Sequence, residues 1–251
     1  FELAELKLLV DAVQASKFLS ARKSETLITK LSALCSKYQS EQLKRQVTVR
    51  ARVKSMNESI YYTVDRIHEA ISGNFQISFR YFDWGVDRKK HERPGEYIAS
   101  PYALVWEDEN YYLIAHSERH GLTHYRVDKM TKLTILDKPR VITDEARALD
   151  LSSYGKTVFG MFAGSPEPVK LRFDNSLAGV VIDRFVKDVM LTPEDGGCFT
   201  VSAQIVLSPV FYGWLASFAD RAELLLPEHA RQDFAAQCRK TLKPYHRKKS
   251  S

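Results

Sequence analysis

His116, His120 and His124 recur at every fourth residue, a spacing that on a helix would bring three imidazoles to one side and make a metal site. Gly121 interrupts them, and the flanking residues alternate in the manner of strands. The three therefore belong on a hairpin and its turn, where they read as surface or barrel-face histidines. Cys35, Cys198 and Cys238 stand apart with no CxxC pair, which excludes a disulfide framework or a zinc knuckle. Cys35 falls on an apolar helical face and reads as an inert core thiol. Glu107, Asp108 and Glu109 cluster in a turn and read as solvated loop residues. No glycine-rich phosphate loop, HExxH, GxSxG or EF-hand pattern is present. Catalysis, a metal and a cofactor are not expected.

Arg126 is harder to explain away. It lies mid-strand between Tyr125 and Val127, where a guanidinium withdrawn from water needs an acceptor. Asp128, an acid from the C-terminal part of the chain, or an anionic ligand could supply it. Tyr81, Tyr102, Tyr112 and Tyr125 accompany Arg80, Lys129 and the run Arg88 to Arg93. Barrel packing accounts for at least half of these tyrosines. Tyrosine faces beside fixed cations also suit a nucleotide or a short single strand, with the base stacked and the phosphate neutralised.

The elements that must position these groups fall into three segments. With 251 residues the chain has room for two ordinary domains and further helices. Its 44% apolar and 27% charged residues are globular composition, and 37 basic against 31 acidic residues leave a net charge of +6. No apolar run approaches the roughly 20 residues of a membrane span, so no membrane partner is expected. The unpaired cysteines point to a reducing, cytoplasmic setting. Phe1 stands where Met would open a chain, and a further N-terminal part is expected upstream.

Residues 1–73 read as helices, a linker or dimerisation region. Leu3, Leu6, Val10 and Val13 form one stripe. Leu27, Leu31, Leu34 and Tyr38 form a second behind Ser20 as N-cap, and Ile60, Val64, Ile67 and Ile71 a third that Gly73 ends. The basic run Lys44, Arg45, Arg50, Arg52 and Lys54 reads as a solvated face. From Phe75 the period becomes two. Strands are expected near 75–82, 97–106, 111–117, 122–127 and 131–136, with a bend or edge at Pro101. Their short polar connections demand antiparallel neighbours, so residues 74–140 read as a small closed or half-closed barrel.

Residues 141–251 alternate β-α-β-β-α-β, the ferredoxin-like order. Strands are expected at 169–173, 187–191, 199–207 and 222–226, with a hairpin turn over Pro193 to Gly197. Helices are expected over 176–185, burying Leu177, Val180, Val181 and Phe185, and over 208–218, with a last one opening at Pro227. The fold class is α+β. Arg239, Lys240, Lys243, Arg247, Lys248 and Lys249 make a basic end that reads as a solubilising tail, the alternative being an extra contact with the DNA backbone.

Three stretches carry a family resemblance: Ser100-Pro101-Tyr102-Ala103-Leu104-Val105-Trp106, then Tyr111-Tyr112-Leu113-Ile114-Ala115, then Tyr125-Arg126-Val127-Asp128-Lys129-Met130. Together they resemble the signature of the WYL domain. The segment Glu2 to Val13 resembles the helix that follows the winged helix-turn-helix in bacterial WYL regulators. Phe159 onward, with Phe211-Tyr212-Gly213-Trp214-Leu215, is similar to their C-terminal extension, WCX.

The resemblance implies the effector-sensing and oligomerising part of a transcriptional regulator, with an Sm/SH3-like barrel and promoter DNA held by an N-terminal domain outside this sequence. It implies a homodimer whose barrel binds a nucleotide or short single-stranded nucleic acid. Carried over by position, Tyr81, Ser100, Tyr112, Arg126 and Lys129 line the ligand face, with His116 and His124 beside them. Lys129 stands where the family often has Arg, offering a point charge in place of a planar fork. Thr123 likewise stands where members often carry Arg. The rival reading is a protein–protein adaptor that grips a peptide or partner protein through the barrel.

Overall fold

The computed structural model describes residues 1–36, 38–40, 60–148, 158–162, 164–185 and 189–245. The basic run Lys44 to Lys54, Asn57, Lys187, and the tail residues Arg247, Lys248 and Lys249 lie outside them. Two compact units divide the chain, Phe1–Arg147 and Ala148–Ser251. The helices and the barrel, which the sequence separates at residue 73, share the first unit.

In that unit, helix α1 (Leu3–Ala15) buries Leu6 and Val10, one turn apart on the expected stripe. Ser20 caps α2 (Ala21–Ser32), its hydroxyl accepting the Lys23 N–H at 3.2 Å. The expected second stripe is only half realised. Helix α2 stops at Ser32, so Leu34 and Tyr38 are left exposed and Cys35 sits beyond the helix. Cys35 is half-buried rather than a core thiol. Helix α3 (Ile60–Gly73) puts Ile60, Ile67 and Ala70 into the barrel core. The left-handed residue after it is Asn74 (φ 58°), not Gly73.

The barrel is a six-stranded half-barrel: β1 (Phe75–Trp84), β2 (Lys90–Glu92), β3 (Tyr97–Glu107), β4 (Asn110–Ser117), β5 (Gly121–Arg126) and β6 (Met130–Pro139). The order is β2-β1-β3-β4-β5 with β6 also on β1, all pairings antiparallel. The sequence misses only β2, a three-residue strand inside the basic run. Pro101 stands at a register shift and past the last β1–β3 pair, so β3 meets only β4 there. Asp108 and Glu109, both at positive φ, make the tight β3–β4 turn. Ile77, Phe79, Tyr81, Leu113, Ala115, Tyr125 and Met130 form the core with the residues of α3.

In the second unit, β7 (Glu167–Asp174), α4 (Ala178–Phe185), β8 (Leu191–Glu194), β9 (Cys198–Ile205), α5 (Pro209–Ala216) and β10 (Ala222–Leu226) follow the expected order, with α6 (Glu228–Leu242) appended. The sheet order β10-β7-β9-β8, antiparallel throughout, is the ferredoxin-like arrangement. Two local expectations are corrected. Strand β8 runs later than 187–191 and includes Pro193, which an edge strand tolerates, because the turn is made by Gly196 and Gly197 at φ 84° and 79°. Val180 is exposed, since α4 aims Val181 and Phe185 inward.

Ser208 caps α5 with its buried hydroxyl on the Phe211 N–H at 3.1 Å, and Pro209 opens the helix. Replacing Ser208 with Ala orphans that N–H. The expected loss is about 1–2 kcal/mol in urea-monitored unfolding.

Candidate ligand face of the barrel

Strand register decides which predicted residues meet. Ser100 pairs with His116, Ala103 with Ile114, and Val105 with Tyr112 across β3–β4. Tyr112 pairs with Arg126, and Ile114 with His124, across β4–β5. Paired residues share a face and neighbours along a strand alternate. Ser100, Tyr112, His116, His124 and Arg126 therefore lie on one face, opposite the core residues Leu113, Ala115 and Tyr125. The three histidines sit on the hairpin and turn, as their sequence context requires.

The face is half sheltered. Ser100, Ala103 and Ile114 are buried, and Tyr112, His116, His124 and Arg126 are partly so. Burial drives the His124 imidazole down to about 4, because the charged form loses hydration. Burial likewise raises the Tyr112 phenol.

Arg126 is neither loose nor waiting. Its Nε and Nη2 donate to the two Asp128 carboxylate oxygens at 3.0 and 2.9 Å, and Nη2 donates again to Asn110 Oδ1 at 2.7 Å. The Asp128 hydrogen bond raises the guanidinium pKa further. Of the two acids open to it in sequence, the near one, Asp128, is used, and Asn110 adds an acceptor that the sequence does not announce. The 3-10 turn Val127–Lys129 makes this possible by folding Asp128 back beside Arg126. Among the described residues no acceptor stands at Nη1, and the side chain keeps 37% of its exposure. The two bonds to one carboxylate fix the plane of the fork.

Tyr81 and Lys129 are not on this face. Tyr81 is in the barrel core against Phe79, Tyr97 and Tyr125, and its hydroxyl accepts the Arg126 backbone N–H at 3.1 Å. Burial pushes its phenol up to about 12. The alternation that puts Ile77 and Phe79 inward puts Tyr81 inward too. Lys129 donates to Asp83 at 3.1 Å, and Asp83 also holds Arg93 at 2.6 Å. The Arg93 and Lys129 hydrogen bonds draw the Asp83 carboxyl down to about 2. Tyr81 thus touches the strand that carries Arg126 from the core side, and Lys129 is committed to Asp83.

Ser100 has a further attachment. Its Oγ accepts the Val141 N–H at 2.9 Å and the Gln76 amide at 3.3 Å. Arg140 donates to the Pro101 carbonyl at 3.1 Å, and the Tyr102 hydroxyl donates to the Val141 carbonyl at 2.8 Å. A pocket of about 320 Å³ opens here, lined by Ser100, His116, Arg119, His120, Lys138 and Val141 among others. Sequence reasoning passed over Asn110, Val141 and Lys138, which carry no motif and arrive only through the register and the chain's exit. Among the described residues no three His, Cys, Asp or Glu side chains group to hold a metal, and no helix is long and apolar enough to cross a membrane.

Against protein-family models, residues 62–135 match the WYL domain and residues 165–242 match the WCX domain. No curated protein matches. Among solved structures, proteasome accessory factor B/C (PafBC) of Arthrobacter aurescens is 17% identical, with a TM-score of 0.33. That similarity covers 98% of this chain and 37% of that one, so this chain spans well under half of PafBC's length. A CRISPR Cas-related protein is 14% identical with a TM-score of 0.45, covering 90% of this chain and 74% of that one.

Proposed function

The chain belongs to the WYL-domain family, with a WCX domain following the barrel, and from that premise we propose that it is the effector-sensing, oligomerising part of a transcriptional regulator. The barrel takes an anionic ligand of the nucleotide class, and occupancy changes how the full regulator holds DNA. One observation carries the reading: Ser100, Tyr112, His116, His124 and Arg126, from three strands, share one half-sheltered face. Rings for stacking, hydroxyl and imidazole donors, and an oriented guanidinium are what a nucleotide needs. Asp128 cancels most of Arg126's charge, so recognition rests on directed hydrogen bonds to one or two phosphates more than on bulk charge. That favours a nucleotide over a longer polyanion. Two copies of the chain would let a ligand shift the spacing of two DNA-reading heads, to the extent that it prefers one arrangement.

Two substitutions with opposite signs test this. Arg126→Ala is expected to weaken nucleotide binding by roughly 1–3 kcal/mol. Asp128→Asn removes the competing carboxylate and is expected to strengthen binding. Isothermal titration with a nucleotide panel reads both. Unchanged affinity in both folded variants refutes the assignment.

A further inference from the structure

Two of the three carboxylates on the β1–β2 hairpin have a Lys or Arg partner, and the third, Asp87, bonds a histidine. Asp83 takes Arg93 at 2.6 Å and Lys129 at 3.1 Å, Asp87 takes His91 at 3.0 Å, and Glu92 takes Lys132 at 3.5 Å. Arg88, Lys89 and Lys90 remain. All three are exposed, and among the described residues none has a carboxylate partner. The tip thus gathers three exposed cationic side chains within one turn of ribbon, against Asp87 as the one carboxylate there without a Lys or Arg partner, and carries a surplus of positive charge.

The tip is also stiff. Gly85 N–H donates to the Lys89 carbonyl and Arg88 N–H to the Gly85 carbonyl, each at 3.0 Å. Lys89 N–H donates to Asp87 Oδ1 at 3.0 Å. A Cβ on Gly85 would fall 2.5 Å from the His91 ring, so the imidazole reaches its place on Asp87 beside a residue without a side chain. On one side of the ribbon Lys90 Nζ lies 4.6 Å from the Phe82 ring centre and 5.7 Å from that of Trp84. Trp84 is 44% exposed and Val86 is fully exposed. An ordered ribbon with exposed cations, one of them lying over a partly exposed indole, suits a phosphate backbone with sugar or base beside it. Its exposed apolar surface, one indole and one valine, is too small to anchor in a bilayer.

We propose that this hairpin tip is a second nucleic-acid contact, laying Arg88, Lys89 and Lys90 along the backbone of duplex DNA with Trp84 against its edge. The site uses none of the five ligand-face residues. The choice of DNA over another polyanion rests on the regulator reading above.

The test titrates the 251-residue chain with a labelled short duplex of arbitrary sequence across a series of salt concentrations. Arg88→Asn, Lys89→Gln and Lys90→Gln are combined, Asn being chosen because Arg88 sits at φ 60°. The slope of log affinity against log salt is expected to fall by about 0.9 for each of the three lost contacts. Arg88→Lys with Lys89→Arg and Lys90→Arg keeps the charge and is expected to keep the slope. An unchanged slope in the neutral variant, with native circular dichroism, overturns the proposal, as does a wild-type chain that binds no duplex at low salt. A loss confined to phosphatidylserine vesicles overturns it in favour of a lipid surface. Nucleotide titration of Arg126→Ala fails or succeeds independently, so the two readings are separable.

Discussion

Acidification from pH 7 to pH 4 is expected to cost the folded chain up to about 3 kcal/mol through His124 alone, at about 1.4 kcal/mol per pH unit. His124 is held near 4 by burial on the sheet, against an ordinary value of 6.5. Between those limits the unfolded chain binds a proton that the folded chain refuses, so stability is full above 6.5 and falls as the pH drops toward 4. Urea unfolding at a series of pH values reads the slope, and His124→Gln is expected to flatten it by one proton. A variant with the wild-type slope contradicts the assignment. The same imidazole belongs to the proposed ligand face, where it faces outward beside Ile114 and diagonally from His116. At neutral pH it therefore contributes a neutral donor or acceptor and no charge.

The largest expected loss comes from Phe79→Ala. Phe79 is fully buried, with the rings of Tyr97 at 5.5 Å, Tyr125 at 5.1 Å and Tyr81 at 6.3 Å around it. Removing the ring leaves a cavity that the surrounding phenols refill only in part, at an expected cost of about 3–5 kcal/mol. Against a typical total of about 5–15 kcal/mol that is a large share. The denaturation midpoint is expected to fall with little change in slope. A second readout follows from Tyr81, whose hydroxyl positions the Arg126 backbone. If Tyr81 shifts into the cavity, nucleotide affinity falls beyond what stability explains, and Phe79→Leu, which refills most of the space, restores it.

These two residues show what was readable in the chain. Phe79 stood on an alternating stripe, and alternation is a local property that survives into the barrel. The same holds for Ser208-Pro209 and for Gly196-Gly197, whose backbone demands mark a helix start and a turn without reference to anything distant. The ferredoxin-like order followed from such local marks. Where the reading slipped, a longer-range fact intervened. Family likeness points Tyr81 to the ligand face, whereas its own alternation puts it inside with Phe79. Helix α2 lost Leu34 and Tyr38 because the chain leaves the helix at Ser32, which no cap residue announces. The mid-strand position of Arg126 calls for an acceptor, but the choice of Asp128 depends on a 3-10 turn that composition does not reveal. The gathering of Ser100, His116 and His124 depends on register across three strands.

The double use of the Ser100 hydroxyl has a mechanical consequence. One oxygen lies on the proposed ligand face and also receives the N–H of Val141, the residue by which the chain leaves the barrel. A guest that draws this oxygen toward itself loosens the stitch at the barrel's exit, and one that leaves it alone keeps the stitch tight. The proposed ligand contact and the anchoring of the departing chain thus meet at a single atom.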